Sequence, residues 1–284
     1  MISETSLAGR FGVAVQGIKV GQLSPSDAQL LHKLLYAHRI LVLRNQKPSP
    51  SEYAQFGALW GVPIGHIQKH RMVDGSPIIL SLSNSPALPL NERDDAVHWH
   101  QDGTFNELPT SVTMVLGIET PDVGGYTLFI EMVEAYAALS ESMKDHLIGL
   151  NVTHSIFGGK AMAGETIPRN SLTANQRASV KQVIHPIVIT HPVTGLPALF
   201  RISGSATSIV GMSQEESDDL LHELKLHATQ DRFRTKYKVN QGEILLWDTF
   251  STMHFATSIE YSDEPGKRRL LHRISTRMPK KVSG

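Results

Sequence analysis

A series of short β-rich runs, with too few helices to alternate with them, sets the main limit on how these 284 residues fold. The runs are RILVLRN (39–45), PIILSLS (77–83), SVTMVLGIE (111–119), VIHPIVITH (183–191), PALFRIS (197–203), GEILLWD (242–248) and RRLLHRIST (268–276). Helix starts are marked at Ser24 with Pro25, at Ser49 with Pro50 and Glu52, and at Ser213 with Glu216, where the serine is placed to cap and the acid to answer it. A fourth helix is expected over 134–150 (EAYAALSESMKDHLIGL). His191-Pro192-Val193-Thr194-Gly195 reads as a hairpin connection between two of the strands. Strands that outnumber helices argue for a mainly β sandwich or barrel with flanking helices, not for a doubly wound parallel sheet.

Composition removes several function classes. Lysine plus arginine equals aspartate plus glutamate, 27 against 27, so no general attraction draws the chain to nucleic acid or anionic membrane. With no cysteine, disulfides, thiolate metal sites and a cysteine nucleophile are excluded. The start MISETSLAGRFGVAV lacks a basic region followed by an apolar stretch, and no apolar run approaches the ~18 residues of a membrane span, so a cytoplasmic location is expected. Residues 157–182 are small, polar and aperiodic, and are expected to form a mobile lid within a single domain spanning 1–284.

HWHQDGTF (98–105) holds the first candidate site. On a strand, residues i and i+2 share a face, so His100 and Asp102 project side by side with Gln101 turned away. A nitrogen and an oxygen donor so placed, joined by a distant third, match the two-histidine, one-carboxylate arrangement of non-haem iron oxygenases. Alone the triplet is weak, since this composition gives roughly 0.6 His-x-Asp triplets by chance. His98 lies on the same face and is a further candidate.

More specific signals come later. In GEILLWDTFSTMHFA (242–256) an apolar strand ends at Trp247-Asp248, and His254 follows in a half-polar segment. Arg269 and Arg273 share one strand face with Leu271 between them. Guanidiniums inside a β core are costly unless each meets an anion, and their planar fork suits carboxylate or sulfonate. A zinc metallohydrolase motif is absent: His222 and His227 are one residue too far apart, their imidazoles about 140° apart on a helix. Trp99, Trp247 and His272 read as core or wall residues, Asp248 as the cap of the turn after its strand, and His227 as a packed histidine.

His100-Gln101-Asp102, Gly124-Gly125-Tyr126-Thr127, HPVTG (191–195), LLHELKLHAT, WDTFSTMH and RRLLHR occur in an order that resembles the TauD/TfdA family of Fe(II)- and 2-oxoglutarate-dependent dioxygenases. The likeness runs from about residue 10 to residue 278. It implies a double-stranded β-helix (a jelly roll of the clavaminate synthase-like kind), with Fe(II) held by His100, Asp102 and His254, and O2 and 2-oxoglutarate as co-substrates. It further implies that Arg269 and Thr127 hold the far carboxylate of 2-oxoglutarate, and that Arg273 binds an anionic group of the substrate. A pocket histidine is expected in GHIQKH, at His66 or His70. The implied partner is a small anionic organic molecule, and the implied assembly a dimer or tetramer.

The resemblance departs at Tyr126, where the family often has Asp or Asn, and at DDAV (94–97), where taurine amine contacts are not reproduced. The same oxidant used for desaturation or cyclisation is the alternative chemistry. A non-catalytic ligand-binding jelly roll is the remote one.

Overall fold

The computed structural model describes residues 2–66, 69–93, 96–155, 162, 165 and 182–279. The lid expected at 157–182 therefore lies outside the described residues, apart from Met162, Glu165 and Gln182.

The chain opens with strands β1 (Ser3–Ser6) and β2 (Val13–Gln16), helix α1 (Pro25–His38), strand β3 (Ile40–Leu43) and helix α2 (Pro50–Ala58). Strands β4 (Val62–Pro63), β5 (Leu80–Ser83), β6 (Thr110–Glu119) and β7 (Thr127–Glu131) follow. Two short helices, α3 (Met132–Ala137) and α4 (Glu141–Leu147), lead to β8 (Asn151–His154). Next come β9 (Val183–Pro186), β10 (Val188–Thr190), β11 (Pro197–Leu199) and β12 (Ala206–Ile209). Helix α5 (Gln214–Ala228) precedes β13 (Arg234–Tyr237), β14 (Ile244–Asp248), β15 (Thr252–Ala256) and β16 (Leu270–Arg277).

One wall is an eight-stranded sheet in the order β1-β2-β3-β14-β6-β16-β4, with β5 also on β16. Its central strands are apolar on both faces, which is why they read as unbroken runs. Leu41, Leu43, Ile244 and Leu246 face outward onto Leu31, Leu35, Tyr53 and Phe56 of α1 and α2. Ile40, Val42, Leu245 and Trp247 face inward and meet Phe129 of β7. The opposite wall is built from β13-β7-β15 and β12-β8-β9, backed by α3 and α5 through Ile130, Met253, Leu220 and Leu224. Two sheets enclosing a core in this way make a jelly roll, the expected fold.

Local signals explain most boundaries. Ser24, Ser49 and Ser213 each cap a helix reciprocally with the acid three residues on, Asp27, Glu52 and Glu216. The hairpin at 191–195 joins β10 to β11, closed by His191 N–H on Leu196 O at 2.8 Å. The helix expected over 134–150 is two helices instead. Ser140 Oγ accepts the Met143 N–H and starts a second N-terminus, since a cap serine satisfies backbone donors that the continuing helix would otherwise use.

Candidate active site

The site is assembled by backbone pairing before any side chain is considered. His100 and His254 exchange two hydrogen bonds, N–H to O at 2.9 Å in each direction. Strand β15, which carries His254, lies against β7 with His254 opposite Phe129. Asp102 follows His100 by two residues, and donor atoms of His100, Asp102 and His254 all lie within 4.8 Å of one another. Nε2 of His254 is 3.8 Å from Oδ2 of Asp102.

One cross-strand row on the inner face of the large sheet supports His254 and Asp102. Trp247, Thr113 and Ser275 are register partners across β14, β6 and β16. The Trp247 ring lies 5.0 Å from the His254 ring. Thr113 Oγ1 donates to Asp102 Oδ2 at 2.7 Å. Ser275 Oγ accepts from Arg273 Nε at 3.1 Å, while Arg273 Nη2 donates to Asp102 Oδ1 at 2.7 Å.

These contacts produce donors suited to a divalent metal. His100 Nδ1 donates to His98 O at 2.8 Å, which fixes the tautomer and leaves the Nε2 lone pair for a ligand bond. His254 is oriented by packing between Trp247 and Phe129, and its buried Nδ1 has no hydrogen-bond partner among the described residues. Burial pushes His100 down to about 3 and His254 to about 4 although Asp102 acts the other way on both, so both imidazoles are neutral as metal ligation requires. Burial alone would raise the Asp102 carboxyl, but Arg273, the two histidines and Thr113 together hold it well below the usual carboxylate range. Two neutral nitrogens and one ionised oxygen fit Fe(II).

The other expected residues sort themselves by contact. Arg269 is fixed through its backbone, with N–H on Asn84 Oδ1 at 2.6 Å and its carbonyl accepting from Asn84 N at 3.2 Å. Burial pushes its guanidinium down to about 10, and that group has no acceptor among the described residues. It runs beside the Gly124-Gly125 turn, where a Cβ on Gly125 would lie 3.8 Å from Arg269 Cδ, and Thr127 begins β7 two residues later, buried. Arg273 spends two of its nitrogens on Ser275 and Asp102.

His66 is solvent-accessible. The protein around it, with Arg273 and Arg71, nevertheless pushes its imidazole down to about 4, and Asp102 acts the other way. Those influences put His66 near the cluster. His70 pairs with Glu92 at 3.1 Å.

The sequence profile described as Taurine catabolism dioxygenase TauD, TfdA family matches residues 3–275. This chain belongs to the TauD/TfdA family. It is similar to an alkylsulfatase of Acinetobacter baylyi, 27% identical over 282 residues that make up 95% of this chain and 83% of the relative. It is also similar to an alpha-ketoglutarate-dependent 2,4-dichlorophenoxyacetate dioxygenase of Cupriavidus pinatubonensis, 28% identical over 82% of this chain and 73% of that one. Among solved structures, a taurine dioxygenase from Burkholderia xenovorans superposes with a TM-score of 0.79 at 28% identity, over 98% of this chain and 90% of that one.

Several positioning residues of this TauD/TfdA-family site were not apparent from sequence. Residues 98–105 are not the strand expected, since His100 makes one isolated bridge to His254 and turns follow it. Gln101, turned away from the cluster as expected, is buried and ties this segment down by donating to Thr249 O at 2.9 Å and accepting from Arg201 N at 2.5 Å. Glu165 Oε1 accepts the N–H of Trp99, the residue before His100, at 2.8 Å, and its Oε2 lies 3.7 Å from Lys225 Nζ of α5. Thr113 carried one legible signal, a hydroxyl among apolar neighbours in SVTMVLG. Gln101 and Glu165 carried none.

Proposed function

We propose that this chain is an Fe(II)- and 2-oxoglutarate-dependent dioxygenase that hydroxylates an unactivated C–H bond of a small anionic carboxylate or sulfonate. The single observation that carries the reading is the convergence of His100, Asp102 and His254 within 4.8 Å across some 150 residues of chain. The chemistry supplied by bound Fe(II), 2-oxoglutarate and O2 is C–H hydroxylation, with succinate and CO2 as co-products.

The chain's own residues supply placement. His100, Asp102 and His254 would hold the metal through two nitrogens and one oxygen. Arg269, a half-buried cation whose desolvated guanidinium meets no carboxylate among the described residues, takes the far carboxylate of 2-oxoglutarate, with the Thr127 hydroxyl beside it. Arg273 has an Nη1 with no partner among the described residues, and offers it to the anionic group of the substrate. Since Nε and Nη2 are already fixed, that grip is pre-oriented and sets which C–H bond faces the metal. His66 lies within reach of the same anion.

Anaerobic addition of Fe(II) and then 2-oxoglutarate tests the reading. The visible band of the chelate should appear in the wild type, be lost in Asp102→Ala and His254→Ala, and be followed on aeration by succinate release with a suitable anion. Full succinate formation in either variant would remove the triad from the mechanism.

A further inference from the structure

Beside the triad lies a buried group of hydrogen-bond donors with no evident use in the reaction above. Arg201 is the largest side chain that is almost wholly buried, 1% exposed, and it stacks on Phe200 at 4.5 Å. Its Nη1 donates to Thr104 O at 2.7 Å, while its buried Nε has no partner and no carboxylate pairs with it among the described residues. Burial pushes it down to about 9, which leaves it charged at neutral pH. His154, completely buried, meets Ser205 Oγ through Nδ1 at 3.1 Å and has a buried Nε2 without a partner among the described residues. Ser205 Oγ also contacts Thr104 Oγ1. His154 and His185 both sense the charge of Arg201.

This group shares a wall with the metal site. Thr104 is two residues past Asp102, and Gly204, next to Ser205, packs so closely on His100 that a Cβ there would lie 3.2 Å from His100 Cβ. One backbone carbonyl satisfies only one of the five N–H groups of a guanidinium. A cation removed from water without an anion is strongly disfavoured, so such a site is built for a negative partner.

We propose that Arg201, His154 and Ser205 form a second anion-binding pocket, distinct from Arg269 and Arg273, that takes a carboxylate or sulfate-type oxyanion. Resting on the dioxygenase reading, the oxyanion is either the second charged end of a doubly anionic substrate or a free inorganic ion.

The metal-free, chelator-treated protein provides the first test. Sulfate, titrated at constant ionic strength against chloride, should raise the melting temperature of the wild type saturably. Apparent affinity should fall about ten-fold or more in Arg201→Gln and in Ser205→Ala, as expected for loss of a charge-assisted hydrogen bond. Ser205→Ala keeps the test valid if Arg201→Gln fails to fold. An unchanged sulfate response in Ser205→Ala, or no response in the wild type, overturns the pocket.

The second test measures succinate release by the iron-loaded enzyme with dicarboxylates and monocarboxylates of equal chain length. A dianion preference lost in Ser205→Ala assigns the pocket to substrate. A sulfate effect without that preference assigns it to a free ion. No succinate from any substrate defeats the dioxygenase reading, while the sulfate response still decides the pocket.

Discussion

Arg273 donates from Nη2 to Oδ1 of Asp102 at 2.7 Å, so the arginine expected to grip the substrate also touches a carboxylate of the triad. Under the proposed function, substrate anchoring and metal ligation would be coupled through this one hydrogen bond. Arg273→Ala should raise the KM for the primary substrate about ten-fold or more, the loss expected for a hydrogen bond between charged groups. The KM for 2-oxoglutarate should change little. Removing the guanidinium also leaves the Asp102 carboxylate with only Thr113 as a donor among the described residues, so Fe(II) affinity should shift in the same variant while Arg273→Lys retains part of both effects. A substrate KM untouched by Arg273→Ala would withdraw the anchoring role.

Arg269 should show the complementary pattern. Its guanidinium is desolvated and has no acceptor among the described residues, so a carboxylate placed there gains a charge-assisted bond at little reorganisation cost. Arg269→Ala should raise the KM for 2-oxoglutarate by about ten- to a hundred-fold. It should also weaken the anaerobic chelate band at a fixed 2-oxoglutarate concentration, with the substrate KM less affected. The reverse pattern in the two arginine variants would exchange their roles.

Gly204 occupies φ +68, and a Cβ there would meet His100 Cβ at 3.2 Å and His100 Cα at 3.6 Å. Gly204→Ala therefore combines a left-handed backbone cost of about 1–2 kcal/mol with pressure on a metal ligand. We expect Fe(II) affinity to fall about ten- to a hundred-fold, as seen for disturbed ligand support, with the fold retained. Titration with Fe(II) under argon, beside a circular dichroism spectrum, checks both halves. Wild-type affinity in a folded Gly204→Ala would mean that His100 moves freely.

Much of this was legible in the sequence because period-two burial and capping serines leave local traces. Strands β3, β6, β14 and β16 were apparent from apolar runs, and Ser24, Ser49 and Ser213 marked helices. β7 and β15 were harder. TLFIE and TMHFA are short, and β15 carries His254 where a core strand would carry an apolar residue. Least legible were contacts fixed by register alone. The Trp247-Thr113-Ser275 row that supports His254 and Asp102 joins three strands, and no local spacing announces it. The ion pair of His70 with Glu92 likewise joins segments that no local spacing relates.

Acid should destabilise the metal-free protein through histidines outside the triad. Burial first, and the Arg201 charge second, push His154 down to about 3 and His185 to about 4. Both are neutral when folded, whereas the unfolded chain protonates them near pH 6.5. Below that value the unfolded state binds more protons, so stability falls with falling pH until the folded values are reached. Each histidine contributes about 1.4 kcal/mol per pH unit across that window, discounted for His185 where it is less enclosed. Urea unfolding at pH 7 and pH 5 should show the loss, and His154→Phe should reduce its slope by about one proton. An unchanged slope in that variant would show that His154 is already protonated in the fold or does not titrate in this range.

His191 and Asp248 give the most direct test of the scaffold. His191 Nδ1 accepts the N–H groups of Val193 and Thr194 at 3.1 Å each, so Nε2 carries the proton and donates to Asp248 Oδ2 at 2.7 Å. Asp248 also accepts from Phe250 N at 3.1 Å and from Ser251 Oγ. Both side chains are wholly excluded from solvent. The pair thus pins the 191–195 hairpin to the end of β14, one residue beyond Trp247. Removing Asp248 leaves the His191, Phe250 and Ser251 donors buried and unpaired, and each such donor costs about 1–3 kcal/mol. Asp248→Ala should lower the melting temperature by on the order of 10 °C, given about 2–4 °C per kcal/mol for chains of this size. Because the two side chains share one interaction, the double variant His191→Ala/Asp248→Ala should lose less than the sum of the single losses. Strict additivity in that cycle would mean that the hairpin is held by its backbone bonds and the pair contributes nothing to anchoring it.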